Sequence, residues 1–211
     1  MWHDAIDAAT WGTTRPPLEG TVQADVAIVG GGYTGLWTAY YLLQRDPSLK
    51  VVVLEAEAIA FGASGRNGGW CSALLPMTMD AMAEHHGRDK AIRLQTEMHA
   101  TVAEVGRVVA HEGIDCGFAH GGTVIVARNQ AQLQRLTQHV QHLHTFGFDD
   151  SDYSLLDAEQ AAARLNATKV VGGEYTPHCA SVNPAQLARG LARSVEARGA
   201  TIHEHSRVTE L

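Results

Sequence analysis

The chain has 211 residues, and its 16 basic and 23 acidic residues give a net charge of −7. With 45% hydrophobic and 18% charged residues, the composition excludes a disordered chain and indicates a folded protein with a sizeable core. Scattered Lys and Arg argue against nucleic-acid binding, and no apolar run approaches the roughly 18 residues of a membrane helix.

The first elements form a short alternating pattern of strand, turn and helix. Residues 1–21 are predicted to be a leader in which Trp2 and Trp11 pack back on the body. Three elements follow, namely a strand buried on both faces over 25–29, a helix over 33–45 and a second buried strand over 50–55. Strand, glycine turn, helix and strand within about thirty residues predict a βαβ unit.

The remaining elements are predicted from apolar periodicity and from capping residues. A Met- and Ala-rich helix is expected over 70–84, and a long helix over 90–112 carries an apolar stripe of Ala91, Leu94, Met98, Val102, Val105 and Val109. Residues 116–119 and 123–127 are predicted to form a hairpin about Gly121-Gly122. Further along, the pattern predicts a helix over 131–146, a capping box at 157–160, a strand over 170–175, a helix starting at Asn183-Pro184 and a strand over 201–205.

The glycines after the first strand match a dinucleotide-binding fingerprint. Gly30, Gly32 and Gly35 satisfy G-x-G-x-x-G between a predicted strand and a predicted helix, and Glu55 ends the next strand. Gly30 allows a tight turn, Gly32 lets the backbone approach a pyrophosphate, and Gly35 lets the helix pack closely on the strand. The pyrophosphate is expected at the helix N-terminus around Tyr33 and Thr34, with Glu55 on the adenosine ribose. An ordinary tight turn between strand and helix is the alternative.

A second glycine-rich stretch, 62–69, follows Glu55 closely. Its small residues and exposed N–H groups are suited to the close passage of backbone along a large planar ligand and its phosphates. Composition alone leaves a flexible solvent loop open as the alternative. The fingerprint by itself also permits NAD in place of a flavin dinucleotide.

Three stretches together resemble a known family. The segments 25–36, 52–55 and 61–70 are similar to the FAD-dependent amine and amino-acid oxidoreductases of the glycine oxidase and D-amino-acid oxidase type, and the similarity continues to Val208. The resemblance implies an FAD cofactor and a small amine or amino-acid substrate. It implies hydride transfer from the carbon beside nitrogen to the flavin, which leaves an imine. The site residues that it implies along the pyrophosphate, the flavin and the adenine are Ser64, Arg66, Asn67, Gly68, Gly69, Trp70 and Val208, in addition to the fingerprint residues.

The expected fold class is α/β, with a Rossmann-like FAD-binding domain that has a parallel sheet and is interrupted by part of an α+β substrate domain. The expected boundaries are a leader at 1–21, FAD-binding parts at 22–79 and 179–211, and a partial substrate domain at 80–178. Since the family's chains are much longer, we expect the chain to be the N-terminal half of such an enzyme, with its C-terminal portion missing.

Several features are left without a role. Twelve histidines show no recognisable metal-ligand spacing, so no metal is predicted. Three distant cysteines are expected to be reduced thiols of a cytoplasmic protein, although Cys71 follows the flavin-side loop. Arg66 is equally compatible with a flavin or substrate contact and with a structural role. Catalytic residues and oligomeric state remain unassigned, and a non-catalytic dinucleotide-binding fragment remains an alternative function.

Overall fold

The computed structural model describes Trp2 and residues 15–210, so Trp11 lies outside the described residues. Its strands are β1 (Val26–Val29), β2 (Val51–Leu54), β3 (Trp70–Ser72), β4 (Thr123–Ala127), β5 (Ser154–Leu156), β6 (Gly172–Thr176), β7 (Cys179–Ser181) and β8 (Thr201–His203). Its helices are α1 (Tyr33–Arg45), α2 (Met79–His86), α3 (Arg88–His111), α4 (Gln130–Thr145), α5 (Ala158–Arg164) and α6 (Pro184–Ala197).

The described residues divide into two compact units. The first unit takes its residues from 1–69, 108–118 and 182–211, and the second comprises 70–107 and 119–181. None of the helices in the described part of the chain is both long enough and apolar enough to cross a membrane.

The first unit contains the predicted βαβ arrangement. Strands β1, β2 and β8 form a parallel sheet in the order β1-β2-β8, with Val26 opposite Val51 and Val52 opposite Thr201. Helix α1 contacts β1 and β2, α6 contacts β8, and the two helices pack against each other. Leu36, Tyr40, Val53 and Leu191 are fully buried in the resulting core. The predicted parallel sheet of three strands is therefore confirmed.

The expectation that both outer faces are covered holds for β2 and is wrong for β1. Val51, Val52 and Val53 are buried, whereas β1 alternates between half-buried and exposed residues, and Val29 is 56% exposed. Strand β1 is at the edge of the sheet, and successive side chains of a strand point to opposite faces. Within the described residues, the face of β1 that carries Ala27 and Val29 has no covering element.

The second unit is built on antiparallel sheets. Strands β4, β6 and β5 form one sheet in that order, and β3 and β7 form a second sheet of two strands. On β6, Glu174 bonds to His139 of α4, whereas the ring of Tyr175 lies under Arg164 of α5. Helices α4 and α5 therefore cover opposite faces of this sheet.

Two predictions for the second unit are wrong. Strand β4 pairs with β6 instead of with residues 116–119, which contribute only one bridge, from Ala119 to Ser181. Residues 70–84 are not one helix, because Trp70–Ser72 form β3 and the helix begins at Met79 after the N-cap Thr78. In both places the paired residues are at least 45 residues apart along the chain, and local periodicity carries no information about such a partner.

The long helix α3 confirms the predicted element but corrects its buried stripe. Leu94 is 45% exposed, whereas Gln95 and His99 are buried. The capping predictions are confirmed: Asp157 and Gln160 form a capping box on α5, and Asn183 caps α6, which starts with a proline. Gly113 and Gly147 follow helices with positive φ angles, as expected for C-terminal caps.

Candidate functional site

The glycine turn after β1 is too tight for side chains. Gly30 has a φ of +102°, and a Cβ on Gly35 would lie 2.2 Å from the carbonyl oxygen of Gly30. A Cβ on Gly31 would lie 2.2 Å from Cδ1 of Ile59. Glycine therefore lets α1 begin directly against the end of β1, which leaves backbone rather than side chains at the surface of the turn.

The first turn of α1 presents backbone donors and contains no acidic residue of its own. The N-cap is Gly32, which has no side chain to cap the helix. The N–H of Tyr33 donates to Oγ of Ser64 over 2.9 Å, and Thr34 is exposed. The helix dipole and the donors of its first turn favour an anion at this position.

Glu55 is fixed beside this turn by two backbone donors. Its Oε2 accepts from the N–H of Gly31 at 2.7 Å, and its Oε1 accepts from the N–H of Glu57 at 2.9 Å. The segment after β8 runs alongside, because the N–H of Ser206 donates to the carbonyl oxygen of Glu55 at 2.8 Å. Val208, two residues further along, is half-buried.

The stretch 62–69 is held by its own hydrogen bonds. A 3₁₀ turn spans Ala63–Gly65, and a Cβ on Gly65 would lie 1.9 Å from the carbonyl oxygen of Ala60. Nδ2 of Asn67 donates to the carbonyl oxygen of Ser64 at 3.1 Å, while its Oδ1 accepts from the N–H of Gly69 at 2.9 Å. The amide of Asn67 thus fixes the loop next to Ser64.

The remaining predicted site residues are more exposed or lie elsewhere. Arg66 is exposed, and its guanidinium donates to the carbonyl oxygen of Phe61 and lies 4.5 Å from the centre of that ring. Gly68 is also exposed. Gly69 has a φ of +74°, and Trp2 donates from its indole to the carbonyl oxygen of Asn67 at 2.7 Å. Trp70, 57% exposed, starts β3 in the second unit.

The structure therefore brings the fingerprint glycines, Glu55 and Ser64 together in the first unit. Backbone that admits no Cβ, a helix N-terminus without an acid, and a carboxylate at the end of the second strand are the parts that a dinucleotide requires. Their arrangement fits FAD, since it offers donors to the pyrophosphate and acceptors to the ribose of the adenosine half.

The second unit holds a polar cluster that sequence reasoning missed. The rings of His99 and His178 stack with their centres 3.5 Å apart, and Nε2 of His178 lies 2.8 Å from Oδ1 of Asp152. Nε2 of His99 lies 2.8 Å from the hydroxyl of Tyr153. Burial is the main cause that lowers the pKa of His99 to about 4, and the neighbouring His178 lowers it further. The ring of His99 is therefore neutral near pH 7. Burial, and then Asp152 and Glu174, raise the pKa of Tyr153 to about 12.

Donor atoms of His99, Asp152 and His178 lie within 4.8 Å of one another, and these residue types are metal ligands. In the structure the two rings stack face to face beside one carboxylate oxygen, an arrangement that hydrogen bonding accounts for. Sequence spacing gave no signal for this cluster, because its members are 26 to 79 residues apart along the chain.

The fold and the site define a dinucleotide-binding protein of the βαβ type, and comparison with known proteins gives its family. A family model described as FAD dependent oxidoreductase matches residues 25–211. The chain therefore belongs to the FAD dependent oxidoreductase family. FAD is the cofactor of this family, so the resemblance and the FAD prediction are confirmed, and FAD is favoured over NAD.

Relatives in sequence include several enzymes that act on nitrogen compounds. Gamma-glutamylputrescine oxidoreductase of Escherichia coli (strain K12) is 32% identical over 194 residues, which are 92% of this chain and 44% of that protein. Sarcosine dehydrogenase of Homo sapiens is 26% identical over 198 residues, covering 92% of this chain and 19% of that protein. The chain thus spans less than half the length of these curated relatives.

Solved structures show the same fold. Glycine oxidase from Geobacillus kaustophilus superposes with a TM-score of 0.70 at 24% identity, covering 89% of this chain and 48% of that chain. An L-amino acid deaminase from Proteus vulgaris gives a TM-score of 0.70 at 20% identity, covering 93% of this chain and 49% of that chain. The α/β fold class is confirmed by these neighbours.

Proposed function

We propose that this chain carries the FAD site of an oxidoreductase that acts on an amine or an amino acid. The observation that carries the proposal is the junction of three elements at the start of α1. There Glu55 accepts from Gly31 and Ser64 accepts from Tyr33, in a turn whose glycines admit no side chain. The names of the relatives, which specify gamma-glutamylputrescine, sarcosine and glycine, support a nitrogen-containing substrate.

Each proposed site residue has a specific task toward FAD. Gly30, Gly32 and Gly35 shape the turn, and the start of α1 at Tyr33 and Thr34 faces the pyrophosphate, with the Tyr33 N–H acting through the hydroxyl of Ser64. The carboxylate of Glu55 accepts from the ribose hydroxyls of the adenosine, and the backbone near Val208 borders the adenine.

The loop residues continue the site toward the other half of the cofactor. Ser64 donates its hydroxyl proton to the pyrophosphate while it accepts from Tyr33, and Asn67 holds the loop in place for backbone contacts at Gly68 and Gly69. Arg66 and Trp70 are proposed to border the flavin. When bound, FAD would supply the redox chemistry: the carbon beside nitrogen would give a hydride to the flavin and the nitrogen would lose a proton to solvent, which leaves an imine.

Three measurements test this function. Purified protein should contain FAD that is released on denaturation, and an amine or amino acid should bleach the flavin absorption under anaerobic conditions. Deuterium on the carbon beside nitrogen should slow the bleaching, because that C–H bond breaks in the proposed step. Protein that binds NADH tightly and has no affinity for FAD would contradict the proposal. Protein that binds FAD but is reduced by no amine or amino acid would support a non-catalytic binding module.

A further inference from the structure

The second unit contains a small cavity built around a buried carboxylate. Its volume is about 90 Å³, and Glu174, His139, Tyr153, Trp70, Thr176 and His178 contribute to its wall. Glu174 lies in the middle of the sheet, with the apolar side chains of Ile125 and Leu155 beside it on the neighbouring strands. A carboxylate in such surroundings needs compensating donors, because burial without them is costly.

One partner of this carboxylate comes from the described residues. Glu174 is 7% exposed, and its Oε2 pairs with Nδ1 of His139 at 3.0 Å. Because Glu174 also lines the cavity, its carboxylate is available to a donor that enters there.

The chemistry of the wall selects a cation among such donors. The negative charge of Glu174 attracts a cation and repels a carboxylate or a phosphate. The aromatic residues Trp70, which is 57% exposed, and Tyr153 also line the cavity, and an aromatic ring attracts a cation that lies over its face. An ammonium group carries three N–H donors on a compact positive charge, and the residues that line this cavity include the acceptors Glu174, Ser72 and Thr176.

An adjoining cavity accommodates the rest of such a ligand. Its volume is about 410 Å³, and it shares Leu74, His139 and Tyr153 with the smaller one. Leu75, Met77 and Leu143 line it, so its surface is suited to an alkyl chain. We infer that Glu174 is the anion of a subsite that binds the ammonium group of an aliphatic amine, with the alkyl part in the larger cavity. The claim that this ligand is a substrate rests on the proposed function. The claim that it binds here does not.

The test uses tert-butylammonium, which cannot be oxidised by the proposed chemistry because the carbon beside its nitrogen bears no hydrogen. Binding to the purified protein is measured by isothermal titration calorimetry at pH 8.5, with tert-butanol as a neutral ligand of the same shape. We expect the ammonium ion to bind at least tenfold more tightly than the alcohol. Glu174→Gln should weaken ammonium binding at least tenfold, while Glu159→Gln, an exposed acid of the same unit, should not change it.

Equal affinity for the two ligands, no detectable binding of tert-butylammonium, or an unchanged Kd in a folded Glu174→Gln variant would overturn the subsite. If circular dichroism shows that Glu174→Gln does not fold, Trp70→Leu decides, because this exposed side chain should leave folding intact. It is expected to weaken ammonium binding several-fold, and an unchanged Kd in Trp70→Leu would overturn the subsite. Failure of FAD binding or of flavin reduction contradicts the proposed function and leaves the subsite standing.

Discussion

The backbone N–H of Tyr33 and the hydroxyl oxygen of Ser64 are joined by a hydrogen bond of 2.9 Å, although 31 residues separate them along the chain. This bond ties the glycine-rich stretch 62–69 to the first turn of α1. A hydroxyl that accepts from the helix N-terminus retains its own proton for donation. Ser64 is therefore able to donate to an anion at the start of α1, where the pyrophosphate is proposed to bind.

Replacing Ser64 with alanine should weaken FAD binding about tenfold. The variant loses a hydrogen bond to a charged group, which contributes about 1.5 kcal/mol. The Kd for FAD, measured by quenching of flavin fluorescence, checks this. Ser151→Ala removes an exposed hydroxyl in the second unit and is the control. If both variants bind FAD like the parent protein, Ser64 has no part in the site.

Side chains at position 32 should weaken FAD binding more as they become larger. A Cβ there would lie 2.9 Å from Oγ of Ser64, so Gly32→Ala must displace the hydroxyl, and Gly32→Val must displace more of the turn. We expect the Kd for FAD to rise at least tenfold for alanine and further for valine. Gly121→Ala is the matched control, because a Cβ on Gly121 meets nothing within 4 Å. A Gly32→Ala variant that binds FAD as tightly as Gly121→Ala would show that the pyrophosphate lies elsewhere.

Reversing the charge of Glu55 should weaken binding of the adenosine half specifically. Glu55→Arg removes both acceptors that now bond to Gly31 and Glu57 and places a cation where the ribose hydroxyls are proposed to bind. The affinities for FAD and for ADP should fall together, by tenfold or more, in titrations of the two ligands. Glu19→Arg changes the net charge by the same amount at an exposed position. Affinity for ADP that survives in Glu55→Arg would remove Glu55 from the adenosine site.

The sequence predicted the first unit well because its signals are local. The glycines after β1, the run of valines in β2 and the position of Glu55 at the end of that strand are all signals within one βαβ unit. The Asn183-Pro184 start of α6 is likewise read from adjacent residues. By contrast, nothing local in Thr123–Ala127 identifies Gly172–Thr176 as its partner, since antiparallel pairing across α4 and α5 is decided by tertiary packing.

The residues of the two candidate sites likewise differ in whether local sequence or tertiary packing determines them. The residues near the start of α1 could be named from their motif, whereas Glu174 and the cluster at His99 could not. Glu174 stands in a short polar run with glycines and a threonine, which resembles a surface strand. Its burial comes from the helix α4 that packs over it. His99 was missed because it shares a helix face with the apolar residues that periodicity detects.

An ion pair in the first unit should make stability depend on pH in the acid range. Glu112 accepts hydrogen bonds from the guanidinium of Arg198 and from the hydroxyl of Tyr40. These bonds, that of Arg198 most strongly, hold the pKa of Glu112 below its usual value of 4.5. A carboxyl group whose pKa is lowered by folding stabilises the fold above its unfolded pKa, and this contribution is lost as the pH falls below about 4.5.

Glu112→Gln should therefore lower the free energy of unfolding by about 1.5–3 kcal/mol at pH 7. The difference between variant and parent should shrink as the pH falls through the lowered pKa. Urea unfolding followed by circular dichroism at a series of pH values measures both effects, and Glu104→Gln, on a partly exposed pair with Arg107, is the control. A difference that is constant from pH 7 to pH 3 would contradict the assignment.

The pairing of His139 with Glu174 predicts how ammonium binding changes with pH. Glu174 raises the pKa of His139 above its usual 6.5. The other titratable groups near this carboxylate are Tyr153, from the segment before β5, and His178, which follows β6 and bonds to Asp152. Protonated His139 neutralises Glu174 and repels a second cation, so tert-butylammonium should bind more tightly as the pH rises through the raised pKa of His139.

The variant His139→Gln isolates this effect, because Tyr153, His178 and Asp152 remain in place. It should bind tert-butylammonium tightly at pH 6 and at pH 8.5 alike, whereas the parent protein should gain affinity several-fold over that interval. An aliphatic ammonium ion, with a pKa of about 10, keeps its charge throughout this range. His85→Gln changes an exposed histidine of α2 and should retain the parent profile. Identical profiles for His139→Gln and the parent would show that His139 does not control the charge of Glu174.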